Sequence, residues 1–177
     1  GVHLTKMMVE LGLTNLTPEI DLSEIRVMTA EITRPALQLV GYLEHFANER
    51  VQIIGYVEYT YLMQLKDEER LFKYERFISS KIPCVIFSTM TKPSQDMIDL
   101  ALKYNVPTFV TERTTSSLMA ETIRWLGVQL APCISIHGVL VDVFGEGVLI
   151  TGESGIGKSE AALELIKRGH RLVSDDV

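Results

Sequence analysis

The chain has 177 residues, enough for one large or two small domains with a true core; 46% are apolar, 23% charged and 7% aromatic, the make-up of an ordinary globular protein. Its 17 basic side chains against 23 acidic ones give a formal charge of −6, with no cluster of Lys and Arg, which argues against a nucleic-acid or anionic-membrane surface. No apolar run approaches the roughly 18 residues of a membrane span and no basic-then-apolar leader follows Gly1, so the expectation is a soluble, cytoplasmic protein.

Leu4 to Leu11 reads as a short helix stopped by Gly12, and Pro18-Glu19-Ile20-Asp21 opens a turn-rich connection. From Ile25 onward the pattern suggests βα units. Arg34 to Val40 reads as a helix with Pro35 in its first turn, and Val51 to Gly55 as a buried strand. Glu58 to Leu65 and Asp67 to Ser79 read as helices, the second charged enough to lie on the surface, with Asp67-Glu68-Glu69-Arg70 as its solvated start. Pro83 to Phe87 is a strand, Pro93 to Tyr104 a helix, Pro107 to Val110 a strand, and Thr115 to Leu130 a helix carrying Trp125. Strands alternating with such helices predict an α/β domain, a parallel sheet covered by helices. Cys84 and Cys133 sit in apolar strand-like runs, with no C-x-x-C or Cys/His cluster, and read as buried reduced thiols. A boundary is expected near Leu130-Ala131-Pro132, making residues 1–128 an α/β regulatory or assembly domain and 129–177 a second domain of different pattern.

That second stretch carries the strongest signal. Gly152-Glu153-Ser154-Gly155-Ile156-Gly157-Lys158-Ser159 fits G-x-x-x-x-G-K-[ST] without a mismatch. The apolar run Val148-Leu149-Ile150-Thr151 precedes it, and Glu160 to Arg168, apolar at helical spacing and ended by Gly169, follows it. Strand before and helix after are the context of a phosphate loop. Its glycines let backbone N–H groups turn onto phosphate oxygens, and the helix start adds the positive end of its dipole. Lys158 can reach the β/γ-phosphates and the Ser159 hydroxyl can ligate Mg²⁺.

Two further groups belong to this neighbourhood. Val139 to Phe144 and Val148 to Thr151 read as strands joined by Gly145-Glu146-Gly147. With Phe144 facing Val148, continued antiparallel pairing sets His137 opposite Gly155, beside the loop; the alternative is a core histidine. Arg171 to Ser174 reads as a strand parallel to Val148 to Thr151, so Asp175 and Asp176 emerge at the sheet edge where the loop begins, to hold Mg²⁺ or to take a proton from an attacking hydroxyl; the alternative is a solvated turn. An aspartate suffices as base because bond formation to the nucleophile is slight in a loose phosphoryl-transfer transition state. Asp142 and Glu153 read as a strand-face carboxylate and a variable loop position. Only 18 residues follow Ser159, so the phosphate-loop domain is expected to be incomplete within this sequence.

The residues from His137-Gly138-Val139-Leu140-Val141-Asp142 through the Gly152 to Glu160 block to Arg168-Gly169-His170-Arg171-Leu172-Val173-Ser174-Asp175-Asp176 resemble HPr kinase/phosphorylase. Weaker matches are Ile32-Thr33-Arg34-Pro35 with Gly41-Tyr42, Glu49-Arg50-Val51-Gln52, and Thr115-Ser116-Ser117-Leu118. The resemblance implies an ATP- and Mg²⁺-dependent protein serine kinase acting on the phosphocarrier protein HPr in the regulation of carbon metabolism. It also implies the reverse, phosphorolytic reaction, in which inorganic phosphate attacks phosphoserine to give pyrophosphate. By the same resemblance His137, Lys158 and Asp176 are catalytic, the loop from Gly152 to Ser159 binds ATP, Ser159 is a metal ligand, and the assembly is a homohexamer. Ser174 stands where the family pattern suggests alanine, and Ala161 where threonine is common. A nucleotide-sensing regulator, or a phosphate-loop kinase of another hydroxyl substrate, is the alternative reading.

Overall fold

A computed structural model describes residues 1–132 and the strands Gly138–Val143, Glu146–Thr151 and Arg171–Asp175. The chain forms two compact units, Gly1–Ala131 and Pro132–Val177.

In the first unit the strands β4 (Ile32–Thr33), β5 (Val51–Ile54), β6 (Val85–Phe87) and β7 (Thr108–Val110) pair in parallel, each with the next. The strand β2 (Thr14–Asn15) adds to the β7 edge in the antiparallel sense. A separate antiparallel ribbon joins β1 (Val2–His3) to β3 (Arg26–Val27).

The central parallel strands are covered on both faces, which is why they read as mostly apolar runs, with Gln52 and Thr108 as buried polar members. Alternation along the strands divides the core. Val51 and Ile53 join Cys84, Ile86 and Phe109 against Leu4 and Met7 of α1 (Leu4–Glu10) and Leu118, Trp125 and Leu126 of α5 (Thr115–Gln129). Ile54 joins Val85, Phe87 and Val110 on the other face. There it packs with Leu62 of α2 (Tyr56–Gln64), Tyr74 and Phe77 of α3 (Asp67–Ile78), and Met97 and Ala101 of α4 (Gln95–Lys103). Each large apolar side chain buried this way contributes about 1.5–3 kcal/mol. Polar ties add to the α1–α5 contact: Trp125 Nε1 donates to Glu10 Oε2 at 2.6 Å and Lys6 Nζ to Gln129 Oε1 at 2.9 Å.

The α1 stop is built as expected. Gly12 takes φ +64°, its N–H bonds to the Val9 carbonyl, and the Leu13 N–H reaches back to Met8 at 2.9 Å. The expected helix from Arg34 to Val40 is absent. The backbone there closes short turns only, Leu39 to Ala36 and Val40 to Leu37, and ends at Gly41 with φ +106°. Pro35 and Leu39 are the buried residues of that stretch, while Leu37 and Val40 remain exposed. The helix α3 also departs from expectation. Arg70, Tyr74, Phe77 and Ile78, at helical spacing, are buried, and Arg70 is held by Asp67 Oδ1 at 2.7 Å and the Leu65 carbonyl at 3.2 Å. The start of this helix is thus solvated only at its acidic residues.

In the second unit β8 (Gly138–Val143) lies between β9 (Glu146–Thr151) and β10 (Arg171–Asp175) and is antiparallel to both. Strands β9 and β10 therefore run in the same direction, as expected, with β8 between them. The hairpin register differs from the sequence reading. Val148 faces Val141 instead of Phe144, and Val143 faces Glu146. Two residues link the strands, so Glu146 and Gly147, which read as turn residues, belong to the ladder.

Candidate active site

The register brings three chain ends to one end of the small sheet. Gly138, the first residue of β8, pairs with Thr151, the last of β9; Val139 pairs with Asp175, the last of β10. Hydrogen-bonded strands lie about 4.8 Å apart, so three neighbouring ends span about 10 Å. In sequence His137 precedes Gly138, Gly152 follows Thr151 and Asp176 follows Asp175, each one peptide bond away. His137, the loop from Gly152 to Ser159 including Lys158, the helix expected from Glu160 to Arg168, Asp176 and Cys133 all lie outside the described residues. The pairing of His137 with Gly155 was continued from a register that the hairpin does not adopt.

In sequence the Gly-rich segment follows the end of β9, and Asp175 closes the co-directional β10. Among the described residues no group of three or more His, Cys, Asp or Glu is placed to hold a metal ion. No helix among them is long and apolar enough to cross a membrane.

The carboxyl edge of the first unit's parallel sheet gathers groups that sequence reasoning did not connect. Arg34 Nε and Nη2 donate to the two carboxylate oxygens of Glu58, both at 2.8 Å, and this hydrogen bonding pushes the guanidinium above the ordinary arginine value. Ser88 Oγ and Thr115 Oγ1 are 2.7 Å apart. Gly55, at the start of α2, lies between them: a Cβ there would stand 2.7 Å from Arg34 Nη2 and 2.9 Å from Thr115 Oγ1. The blocks around Arg34 and Thr115, weak matches taken singly, thus meet across Gly55. Chemically the arrangement is closed, because arginine and carboxylate neutralise each other and the hydroxyls satisfy each other. The available signal was Glu58 itself, an acid in the first turn of α2 and the one charged residue of that helix. Elsewhere in this unit Cys84 is fully buried, and burial pushes its thiol well above the usual range.

The fold and the sequence at the sheet end define a two-unit α/β chain whose second unit carries a phosphate-loop signature between two co-directional strands. Family models agree at both levels: "HPr Serine kinase N terminus" matches residues 2–126 and "HPr Serine kinase C-terminal domain" residues 128–177. The chain belongs to the HPr serine kinase family. The HPr kinase/phosphorylase of Lachnoclostridium phytofermentans is 55% identical over 176 residues, covering 99% of this chain and 57% of that protein. That of Caldicellulosiruptor bescii is 44% identical over 171 residues, covering 97% and 55%. That of Alkaliphilus metalliredigens is 42% identical over 176 residues, covering 99% and 57%. The chain thus spans little more than half the length of the curated relatives it matches.

Proposed function

We propose that this chain is part of an ATP- and Mg²⁺-dependent enzyme that phosphorylates a serine of HPr and removes the phosphate by phosphorolysis, releasing pyrophosphate. The observation that carries this reading is the common sheet end shared by Gly138, Thr151 and Asp175, from which the phosphate-loop signature and the aspartate pair continue. On this reading the backbone from Gly152 to Ser159 cradles the phosphates of ATP, and Lys158 stabilises charge developing between the β- and γ-phosphates. Ser159 would hold Mg²⁺, which supplies charge neutralisation when bound. Asp176 orients the serine hydroxyl and accepts its proton late in the transfer, then returns one to the leaving serine in the reverse direction. His137 helps to orient Asp176 or the transferred group. The reading extends to residues 1–128 as a regulatory or assembly domain, 129–177 as the start of the phosphate-loop domain, a cytoplasmic homohexamer, and a role in carbon-metabolism control. Support comes from the family membership and from relatives that bear the HPr kinase/phosphorylase name over nearly all of this chain.

The test is incubation of the intact protein with γ-labelled ATP and purified HPr, in parallel with HPr whose acceptor serine is alanine. Label transferred to HPr and absent from the alanine form is expected. Binding of ATP without transfer would assign the loop to nucleotide sensing, and transfer only to a different acceptor would overturn the substrate.

A further inference from the structure

We propose that the outward stripe of α3, made of Glu68, Phe72 and Arg76, is a self-association surface that meets the same stripe of a second copy of this chain across a two-fold axis. The helix buries Arg70, Tyr74, Phe77 and Ile78 and leaves Glu68, Phe72 and Arg76 exposed along one i, i+4 row. Phe72 is 64% exposed, and the Arg76 guanidinium lies 6.0 Å from the centroid of its ring. Phe and Arg are enriched where proteins meet, and a Phe left this open gains by being covered. The turn that ends at Gly41 comes alongside, for a Cβ on Gly41 would stand 3.4 Å from Arg76 Nη1. That turn leaves Leu37, Val40 and Tyr42 exposed, so apolar surface continues from the helix onto the turn.

The charges select the occupant. Glu68 and Arg76 stand on either side of Phe72 along the helix, each about 6 Å of rise away. When two copies of α3 pack antiparallel with Phe72 on the axis, Glu68 falls level with the partner's Arg76, and the contact is made twice, as an isologous interface requires. Rows of i, i+4 residues interdigitate in the commonest class of helix packing, so the stripe has a ready way to dock. Among the described residues neither Glu68 nor Arg76 has an ion-pair partner. The other charged residues of the helix are engaged within the chain: Asp67 with Arg70, Glu69 with Lys73, and Glu75 with Lys103 and Tyr104. Glu69 and Glu75, which the same symmetry brings level, are thus each offset at home. A wholly acidic or wholly basic partner would satisfy one end of the stripe and be repelled by the other, whereas a second copy satisfies both. One helix row and one turn cover less than the roughly 800 Å² per partner of a standard interface, so the association is weak and depends on concentration. It needs neither ATP nor HPr and stands apart from the function proposed above.

The experiment traps the contact in the intact protein. Phe72→Cys, oxidised with diamide, should give a disulfide-linked dimer on a non-reducing gel, because a residue on a two-fold axis faces itself. Wild type and Val9→Cys, an exposed position on α1, should give far less. Adding Glu68→Arg or Arg76→Glu to the Phe72→Cys protein should lower the yield at least about fivefold, since either reversal opposes like charges at both contacts. Co-expression of the two reversed proteins, one of them tagged so that the gel separates them, should restore mixed dimers to within about twofold of the parent yield, because one copy then presents two cations and the other two carboxylates. Each reversed protein should still link poorly to itself. The urea midpoint of every variant, read by Trp125 fluorescence, should match wild type, because the changed side chains are exposed. No dimer from Phe72→Cys, or an equal yield from Val9→Cys, would overturn the proposal and leave this face to another protein or to solvent. Reversals that leave the yield unchanged, or a co-expressed pair that links no better than either protein alone, would overturn the two-fold pairing of Glu68 with Arg76.

Discussion

Breaking the Arg34–Glu58 pair should cost unequal amounts from its two sides. The carboxylate side chain is 9% exposed and the guanidinium 38%, although the hydrogen bonds between them are equally short. Removing one partner of a fully buried pair costs about 3–5 kcal/mol, because the charge left behind has lost its compensation. Arg34→Gln leaves the carboxylate buried. Water already reaches this pair, so we discount the loss to about 2 kcal/mol. Glu58→Gln leaves a guanidinium that can turn toward water and still meets an amide oxygen, for a loss of about 1 kcal/mol. The assay is urea unfolding of the intact protein followed by fluorescence of Trp125, the single tryptophan and a residue of the first unit. The guanidinium's upward shift contributes fully at any pH below the ordinary arginine value, so its part of the pair is constant across the neutral range. Equal losses in the two variants would refute the reasoning.

Gly55→Ala should destabilise the first unit by about 1–3 kcal/mol in the same assay, because the new methyl group must displace Arg34 or Thr115. Cys84 should resist alkylation at pH 8 in the native protein and react once urea unfolds it, read by mass spectrometry of the peptide that contains it; native-state labelling would contradict its burial. Lys158→Ala should lower transfer in both directions at least about 10³-fold, and a variant keeping a tenth of the wild-type rate would remove this loop from the ATP site. Asp176→Asn should slow both directions by about 10²–10⁴-fold while ATP titration stays unchanged; lost binding with an intact chemical step would make the residue a metal ligand.

The sequence by itself determined those elements whose formation depends on near neighbours in the chain. The helix ended by Gly12, the helices around Leu62, Met97 and Trp125, and the strands at Ile53, Ile86 and Phe109 follow from spacing, capping and short, mostly apolar runs. The phosphate-loop signature is legible for the same reason, since eight consecutive residues carry it. What only the tertiary structure decided are the features set by distant partners. Two-residue strands such as Thr14–Asn15 and Ile32–Thr33 are too short for any period and exist because β7 and β5 offer open hydrogen-bonding edges. Arg34 to Val40 has helical spacing but closes only short turns that end at the positive φ of Gly41. Arg70 reads as solvated and is buried because α3 turns that face to the core. The hairpin register lies three residues from the one the sequence suggests because the strands around Val141 and Leu149 are apolar at both parities, so their pattern does not choose among pairings.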